Sequence, residues 1–278
     1  MANIKFTKMN GLGNDFIILA YEEYKKTNLP ADKLALKLCN RNFCIGADGL
    51  IIINNESDKA DISWIFYNSD GSIAEMCGNG MRCFARYVYD NHIIDKKEFS
   101  VETKAGIIRP KIISENEVRV NMGKPILDPA KIPCNSDKIL NVPFENNFKL
   151  NLVSMGNPHC IIFVEKDSKR LAVEFGSKIE NDKMFPEKTN VEFAKILSKN
   201  EVTLNVWERG CGITSACGTG SCATVVAGIL NGYLDNNVKV HLPGGDLNIE
   251  WQGNANDTEH DVFMIGRADY SFKGEIII

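Results

Sequence analysis

The sequence contains the same kind of glycine-rich turn twice, and each copy begins with a cysteine. The turns are Cys77-Gly78-Asn79-Gly80 and Cys217-Gly218-Thr219-Gly220. The apolar residues that follow each turn predict a helix that starts there. The open N–H groups and the dipole at a helix N-terminus favour a thiolate and bind anions. The pair of turns therefore predicts a carboxylate-bearing substrate held between two cysteines that act as acid and base.

Other segments repeat at nearly the same distance. Residues 13–16 and 156–159 both contain Gly-Asn, at an offset of 143 residues. Solenoid repeats have periods of about 20–50 residues, so this offset indicates a duplicated domain. We predict an N-terminal half at 1–121, a C-terminal half at 122–266, and a final segment, 267–278, that returns to the first half.

Each half is predicted to be a curved, mostly antiparallel sheet around one central helix, an α/β fold of the α+β type. The nearly continuous apolar run after Cys217 predicts that the second central helix is deeply buried. Further helices are expected at 30–40 and 168–180. Apolar segments between turns predict strands at 3–9, 16–19, 49–53, 61–67, 98–103, 107–113, 117–122, 150–154, 159–165, 190–196, 202–208, 238–242, 247–251 and 261–265.

The composition is that of an ordinary soluble globular protein. The 278 residues carry a net charge of −4, and 44% of them are hydrophobic. This charge gives no general basis for binding nucleic acid or an anionic membrane, so neither partner is expected. The nine cysteines are odd in number and scattered. A chain of this size does not need disulfides, so we expect a reducing cytoplasmic location.

Three other interpretations of the cysteine turns are weaker. Zinc could involve Cys77, Cys83, Cys217 and Cys222, but their spacing differs from the paired C-x2-C of structural zinc sites, so no metal is predicted. Neither turn continues into the Lys-Ser/Thr of a phosphate-binding loop. A cysteine hydrolase would need a histidine base, and His159 is a possible site residue because it follows Asn157 in a repeated segment.

Glu208 and Arg209 precede the second cysteine turn. Such a dipeptide is usually a solvated ion pair. However, Val202, Leu204 and Val206 alternate along a predicted strand and place Glu208 on its apolar face. A buried glutamate close to a thiol can bind a substrate ammonium, and an adjacent arginine can bind a carboxylate with two hydrogen bonds.

Taken together, these segments resemble the diaminopimelate epimerase family. The resemblance runs in order through residues 9–16, 67–72, 75–83, 154–160, 189–191 and 207–220. It implies two pseudo-symmetric domains with the active site in the cleft between them, and usually a homodimer. It also implies cofactor-independent epimerisation between L,L- and meso-diaminopimelate, a small amino-acid substrate of lysine and peptidoglycan biosynthesis.

The resemblance also implies a role for each matching residue. Cys77 and Cys217 are the proton carriers, and the N–H groups around Gly78-Asn79 and Gly218-Thr219 hold the reacting carboxylate. The reacting amine lies near Asn14 and Glu208. The distal amino-acid group is bound by Asn68, Asn157, Asn190 and Arg209, and His159 is associated with the site.

Two alternatives stay open at this point. A related two-cysteine racemase could act on histidine, proline or an analogue of diaminopimelate. The distal residues argue against this, because a substrate with one amino-acid group would not need them. A non-catalytic relative of the same fold is the other alternative, and the presence of both cysteines argues against it.

Overall fold

The computed structural model describes residues 2–278, apart from the side chain of Asn146. Its helices are α1 (Tyr21–Lys25), α2 (Ala31–Leu38), α3 (Gly78–Asp90), α4 (Ser168–Glu180) and α5 (Gly218–Leu230). Its strands are β1 (Asn3–Gly11), β2 (Asn14–Ala20), β3 (Gly49–Asn54), β4 (Ile62–Asn68), β5 (Val101–Thr103), β6 (Gly106–Ile108), β7 (Pro110–Ile112), β8 (Glu117–Asn121), β9 (Val142–Pro143), β10 (Lys149–Ser154), β11 (Pro158–Phe163), β12 (Asn190–Ser198), β13 (Glu201–Glu208), β14 (Gly212–Thr214), β15 (Asn237–Leu242), β16 (Gly245–Trp251), β17 (Val262–Arg267) and β18 (Asp269–Ile277). Short 3-10 helices occur at Pro129–Lys131 and Glu145–Asn147.

The chain forms two compact units. The first runs to Val120 and resumes at Gly266–Ile278, and the second is Asn121–Ile265. The first unit contains a seven-stranded sheet in the order β18-β1-β2-β3-β4-β5-β6. The sheet of the second unit follows the order β17-β16-β15-β13-β12-β11-β10-β9, and β14 pairs with β13. None of the helices in the part of the chain that the structure describes is long and apolar enough to span a membrane.

Antiparallel pairing predominates in both sheets, as predicted. Among the strand pairs of the described residues, the parallel ones include β2 with β3, β4 with β5, β11 with β12, and β13 with β15. Parallel pairs need a crossover between their strands, and a helix lies in each of these crossovers. In the sequence, α2 lies between β2 and β3, α3 between β4 and β5, α4 between β11 and β12, and α5 between β13 and β15.

The sheet of the first unit is covered on both faces. Ile17 and Leu50 pack in a cluster with Leu34 of α2. The alternate residue Phe16 lies beside the first turn of α3, near Gly80. β2 and β3 therefore have continuous apolar sequences, as strands buried on both faces do.

The two central helices begin directly after the cysteines, which confirms that part of the prediction. α3 and α5 each contain 13 residues. In α5, all residues from Gly220 to Gly228 are buried, as the apolar run predicted. In α3 the buried residues include Met81, Phe84 and Val88, which the helical spacing predicted.

Several other sequence predictions were inaccurate. The strands expected over 98–103 and 107–113 are shorter and form β5, β6 and β7. β7 begins at Pro110, which has no backbone N–H to donate to a neighbouring strand, so a long strand is interrupted there. α1, β9, β14 and β18 were not predicted.

Candidate active site

Cys77 caps the N-terminus of α3. Its Sγ accepts a hydrogen bond from the N–H of Gly80 at 3.5 Å, and it lies 3.7 Å from Oδ1 of Asn14. The same Asn14 oxygen accepts a hydrogen bond from Nδ2 of Asn79 at 3.1 Å. The first N–H groups of a helix have no partner within the helix, so the turn from Gly78 can bind an anion beside the thiol.

Asn14 is held by a charged network. Its Nδ2 donates to Oδ2 of Asp48 at 2.7 Å. Arg41 bonds to both Asp48 and Asp15, and Lys8 lies 2.8 Å from Asp15. Burial alone would raise the pKa of Asp15, but the hydrogen bonds from Arg41 and Lys8 outweigh burial and lower this pKa to about 2. The carboxylate of Asp15 therefore stays ionised at neutral pH. The network fixes the Asn14 amide and leaves its oxygen directed at Cys77.

Asn68 lies in the same unit, at the end of β4. Its Nδ2 donates to Oγ of Ser72 at 3.0 Å, and its backbone N–H donates to the carbonyl of Ser72. These bonds close the turn that follows β4. In the sheet, Asn68 is opposite Gly49, the residue after Asp48.

Cys217 caps α5 in the same way, but in a more enclosed environment. Its Sγ accepts a hydrogen bond from the N–H of Gly220 at 3.3 Å, and it lies 3.6 Å from Oγ1 of Thr219. The residue is only 6% exposed. The second turn therefore repeats the local geometry of the first, with Thr219 at the position of Asn79.

The helix N-terminus favours the thiolate of Cys217, as expected, but other features of its environment oppose that effect more strongly. Burial, followed by the negative charges of Glu208 and Glu192, raises the pKa of Cys217 well above its ordinary value. The hydrogen bonds from Thr219 and from the N–H of Gly220 lower this pKa, but by less. This environment favours the protonated thiol of Cys217.

His159 lies beside Cys217 in a buried hydrogen-bonded cluster. Its Nδ1 is 2.7 Å from Oε1 of Glu192, and its Nε2 is 3.1 Å from Oδ1 of Asn157. Asn157 also donates to Oγ1 of Thr219 at 3.4 Å. One side-chain ligating atom from each of His159, Glu192 and Cys217 lies within 4.8 Å of the others. Because Nδ1 and Oε1 already face each other at hydrogen-bond distance, we interpret this group as a hydrogen-bonded cluster rather than a metal site.

Glu208 and Arg209 lie at the end of β13. Oε1 of the half-buried Glu208 accepts a hydrogen bond from Oγ1 of Thr214. The N–H of Arg209 donates to Oδ1 of Asn190 at 3.0 Å, and Asn190 in turn donates to the carbonyl of Pro158 at 2.9 Å. The guanidinium of Arg209 is exposed and donates to the carbonyl of Glu187 at 3.3 Å. Asn190 thus fixes the backbone that carries Arg209.

The predicted site residues fall into two sets, one in each unit. The first set contains Asn14, Asn68, Cys77, Gly78 and Asn79. The second contains Asn157, His159, Asn190, Glu208, Arg209, Cys217, Gly218 and Thr219. The remaining two cysteines of the rejected zinc interpretation, Cys83 and Cys222, are fully buried inside α3 and α5, where they pack as small core residues.

Asp48 and Glu192 also contact predicted site residues, but they were not predicted from the sequence. Glu192 had a detectable signal, because it interrupts the apolar run from Val191 to Ala194. An ionisable residue in a strand that is otherwise buried needs a partner. The corresponding signal for Asp48 is weak, since an aspartate before a glycine is common in turns.

Comparison with solved structures shows which proteins share this fold. A probable proline racemase from Agrobacterium radiobacter K84 matches with a TM-score of 0.70 and 16% identity, over 99% of this chain and 93% of that chain. A phenazine biosynthesis protein of the PhzF family from Bacillus anthracis matches with a TM-score of 0.69 and 15% identity over the full length of both chains. At these identities the comparison shows a shared fold, the two-domain fold of racemases and PhzF-like proteins.

Within that class, the chain belongs to the diaminopimelate epimerase family. The family profile matches residues 6–127 and 151–271. The diaminopimelate epimerase of Halothermothrix orenii is 51% identical over 287 aligned residues, covering 99% of this chain and 98% of that protein. The family resemblance predicted from the cysteine, asparagine and arginine segments is thereby confirmed.

Proposed function

We propose that this protein interconverts L,L- and meso-diaminopimelate, with Cys77 and Cys217 as its two proton carriers and with no cofactor or metal. The main support is the repeated cap geometry. Each cysteine precedes a central helix, and each Sγ accepts a hydrogen bond from an N–H of the first helical turn. Membership in the epimerase family supports the substrate.

In the proposed reaction, one cysteine acts as a thiolate and removes the α-proton. The resulting carbanion is delocalised into the α-carboxylate, where the helix N–H groups stabilise the developing charge. The other cysteine, as a thiol, donates a proton to the opposite face and leaves the configuration inverted. The two cysteines exchange these roles when the reaction runs backwards.

The polar residues are proposed to bind the two ends of the substrate. Asn14 and Glu208 lie near the reacting amine, and Glu208 supplies the negative charge for an ammonium. Arg209 binds the distal carboxylate, with Asn68, Asn157 and Asn190 nearby. An exposed guanidinium on a fixed backbone suits this role, because its planar donors match a carboxylate.

We further propose a homodimer in the cytoplasm, with no nucleic-acid or membrane partner. The support is the family expectation, together with the nine scattered cysteines, which suit a reducing compartment. Sedimentation equilibrium of the reduced protein tests the dimer, and a single monomeric species over the whole concentration range would contradict it.

Incubation in deuterium oxide tests the reaction itself. The reduced protein is mixed with L,L-diaminopimelate, and the stereoisomers and their α-deuterium content are followed. We expect meso product that carries solvent deuterium, because the donating cysteine has exchanged with solvent. L-Lysine, L-proline and L-histidine serve as comparison substrates. Faster racemisation of one of these would support a related two-cysteine racemase and overturn the diaminopimelate assignment.

A further inference from the structure

A carboxylate with no role in the proposed reaction lies within the Cys217 set. Glu192 is in the middle of β12, and its side chain is fully buried, as is that of His159. β11 and β12 are parallel neighbours in which His159 is opposite Asn190. Glu192 comes two residues after Asn190 and so lies on the same face of the sheet. The strand register therefore brings the carboxylate and the imidazole together.

The contacts of this pair fix the imidazole. Nδ1 of His159 lies 2.7 Å from Oε1 of Glu192, and it carries the hydrogen of this bond when the carboxylate is ionised. Nε2 of His159 faces Oδ1 of Asn157, also an acceptor, at 3.1 Å. Both ring nitrogens thus lie at hydrogen-bond distance from side-chain oxygens, which fixes the ring between Glu192 and Asn157. The second carboxylate oxygen, Oε2 of Glu192, is buried and has no hydrogen-bond partner among the described residues.

The same carboxylate reaches the first turn of α5. A Cβ atom placed on Gly220 would lie 2.7 Å from Oε1 of Glu192 and 3.1 Å from Sγ of Cys217. The glycine therefore leaves the space through which the carboxylate approaches the thiol. The charged or polar groups that face Cys217 include His159 on β11, Glu192 on β12, Glu208 on β13, Oγ1 of Thr219 and the N–H of Gly220.

We propose that Glu192 is a positioning residue that fixes His159 and holds a negative charge beside Cys217, so that Cys217 keeps its proton until substrate binds. This role of Glu192 rests on the proposed function of Cys217 as a proton carrier. The proposal is based on the contacts among Glu192, His159 and Cys217, and the pKa of Glu192 is consistent with it. Burial raises the pKa of Glu192, and the bond and charge of His159 partly offset this effect.

The test measures the protonation of Cys217 directly, so it does not depend on turnover. The full-length protein is labelled with 13C at the cysteine Cβ atoms, and the Cys217 signal is assigned with a Cys217→Ser variant. The Cβ shift is then followed by NMR between about pH 6 and pH 10, a range that includes the ordinary cysteine pKa. Wild type is compared with Glu192→Gln and His159→Gln.

The two variants should shift the titration of Cys217 in opposite directions. Glu192→Gln removes the negative charge and should lower the ionisation pH by about one unit or more, the usual size of a close charge effect. His159→Gln removes the imidazole that is hydrogen-bonded to Oε1 and leaves the negative charge of Glu192 less neutralised beside Cys217, so it should raise the ionisation pH. The alkaline limb of kcat/KM against pH should move with each titration. If the substitutions only loosened the core and let water reach Cys217, the ionisation pH of Cys217 would fall in both variants.

Glu180→Gln is the matched control. Glu180 is also a buried glutamate of the second unit, but it accepts hydrogen bonds from Nε1 of Trp207 and the N–H of Gly210. This variant should leave the Cys217 titration unchanged. Identical titrations in wild type and Glu192→Gln, including no ionisation in either, would overturn the proposal. If Cys217→Ala kept its epimerase activity, the proton-carrier role would fail, while the charge effect on the thiol would still be measurable.

Discussion

Cys77 and Cys217 have the same position at the start of α3 and α5, but their side-chain environments differ. Cys77 is half-buried and lies near a neutral amide oxygen of Asn14. Burial, followed by the carboxylates of Glu208 and Glu192, raises the pKa of Cys217. The duplication therefore preserves the backbone cap and changes the charge around the thiol. Two cysteines in different environments can differ in protonation before substrate arrives.

Arg209 offers the sharpest test of substrate choice at the level of one residue. Arg209→Ala should weaken use of diaminopimelate by about one to two powers of ten, the loss expected for one charge-assisted bond of roughly 1.5–3 kcal/mol. Arg209→Lys should restore activity only partly, since an ammonium lacks the planar pair of donors. Steady-state kinetics with L,L-diaminopimelate measures both variants.

Lys188→Ala is a useful comparison for Arg209, because it removes a nearby exposed cation whose amine lies 3.9 Å from Glu180. This variant should retain most of the activity. Equal losses in Lys188→Ala and Arg209→Ala would indicate a general effect of surface charge and would contradict a specific carboxylate contact.

Site residues that belong to a recognisable local pattern could be predicted from the sequence. Site residues that come together only through the pairing of two strands could not. The cysteines stand in glycine-rich turns, and Arg209 follows an alternating strand, so both are detectable in one segment. Asp48 meets Asn14 because β2 and β3 pair in parallel, with Phe16 opposite Gly49. Glu192 meets His159 through the pairing of β11 with β12. A pairing between segments about 30 residues apart has no signal within either segment.

The first turn of each central helix can be tested with one matched pair of substitutions. Alanine is intrinsically better than glycine in a helix by roughly 1 kcal/mol. In Gly80→Ala the new Cβ would lie 3.4 Å from Ile51 and Phe16, which is ordinary contact. In Gly220→Ala it would meet Glu192 at 2.7 Å, and that carboxylate is held by His159 and cannot simply turn away.

Gly220→Ala should therefore reduce kcat/KM by about tenfold or more, the effect of roughly 1.4 kcal/mol, and should lower Tm. Gly80→Ala should keep its Tm and lose much less activity. Thermal unfolding and steady-state kinetics of the two variants provide the comparison. Equal losses would show that both turns are equally crowded, contrary to the structure.

The ion pairs of Asp15 with Lys8 and Arg41 join β1, β2 and the loop after α2. The stability of the first unit should therefore decrease at acidic pH. The folded-state pKa of Asp15 is about 2, below its unfolded value of about 3.9. A lowered pKa contributes stability above the unfolded value, and this contribution is lost as the pH falls through the folded value. Asp15→Asn should therefore cost about 2 kcal/mol of unfolding free energy at neutral pH, by loss of hydrogen bonds between charged groups.

The difference in unfolding free energy between wild type and Asp15→Asn should shrink between about pH 4 and about pH 2, where Asp15 of the wild type gains its proton. Urea unfolding at several pH values measures this difference in unfolding free energy. Asp58→Asn changes an exposed aspartate of the same unit and should have no such pH dependence. A difference for Asp15→Asn that stayed constant down to pH 2 would contradict the lowered pKa.

Secondary structure was predictable where periodicity and burial agree. The apolar spacing located α3, and the helix predicted at 168–180 is α4. β18 was missed because all its side chains are exposed or half-buried, so no apolar alternation marks it. Its pairing with β1, from Asn3 opposite Ile277 onwards, supplies the backbone bonds that hold it.

At the level of the whole molecule, the path of the chain gives each unit one cysteine turn. The first unit is completed by the C-terminal strand β18, and the second is a continuous segment between its two parts. Each unit also has a glycine with positive φ before its site asparagine, Gly13 before Asn14 and Gly156 before Asn157. These repeated features support one proton carrier from each unit, and the proposed reaction then needs both.

Cys77→Ala and Cys217→Ala should each abolish epimerisation, because inversion needs a base on one face of the α-carbon and an acid on the other. Chiral separation of the diaminopimelate isomers measures inversion, and α-proton exchange in deuterium oxide measures deprotonation separately. Cys44→Ala and Cys211→Ala are controls, one from each unit, and both should remain active. Their side chains are half-buried and exposed, respectively, so truncation should cost little stability. Near-normal inversion in either Cys77→Ala or Cys217→Ala would rule out the two-cysteine assignment, whereas exchange without inversion in one of them would identify the remaining cysteine as the base for that isomer.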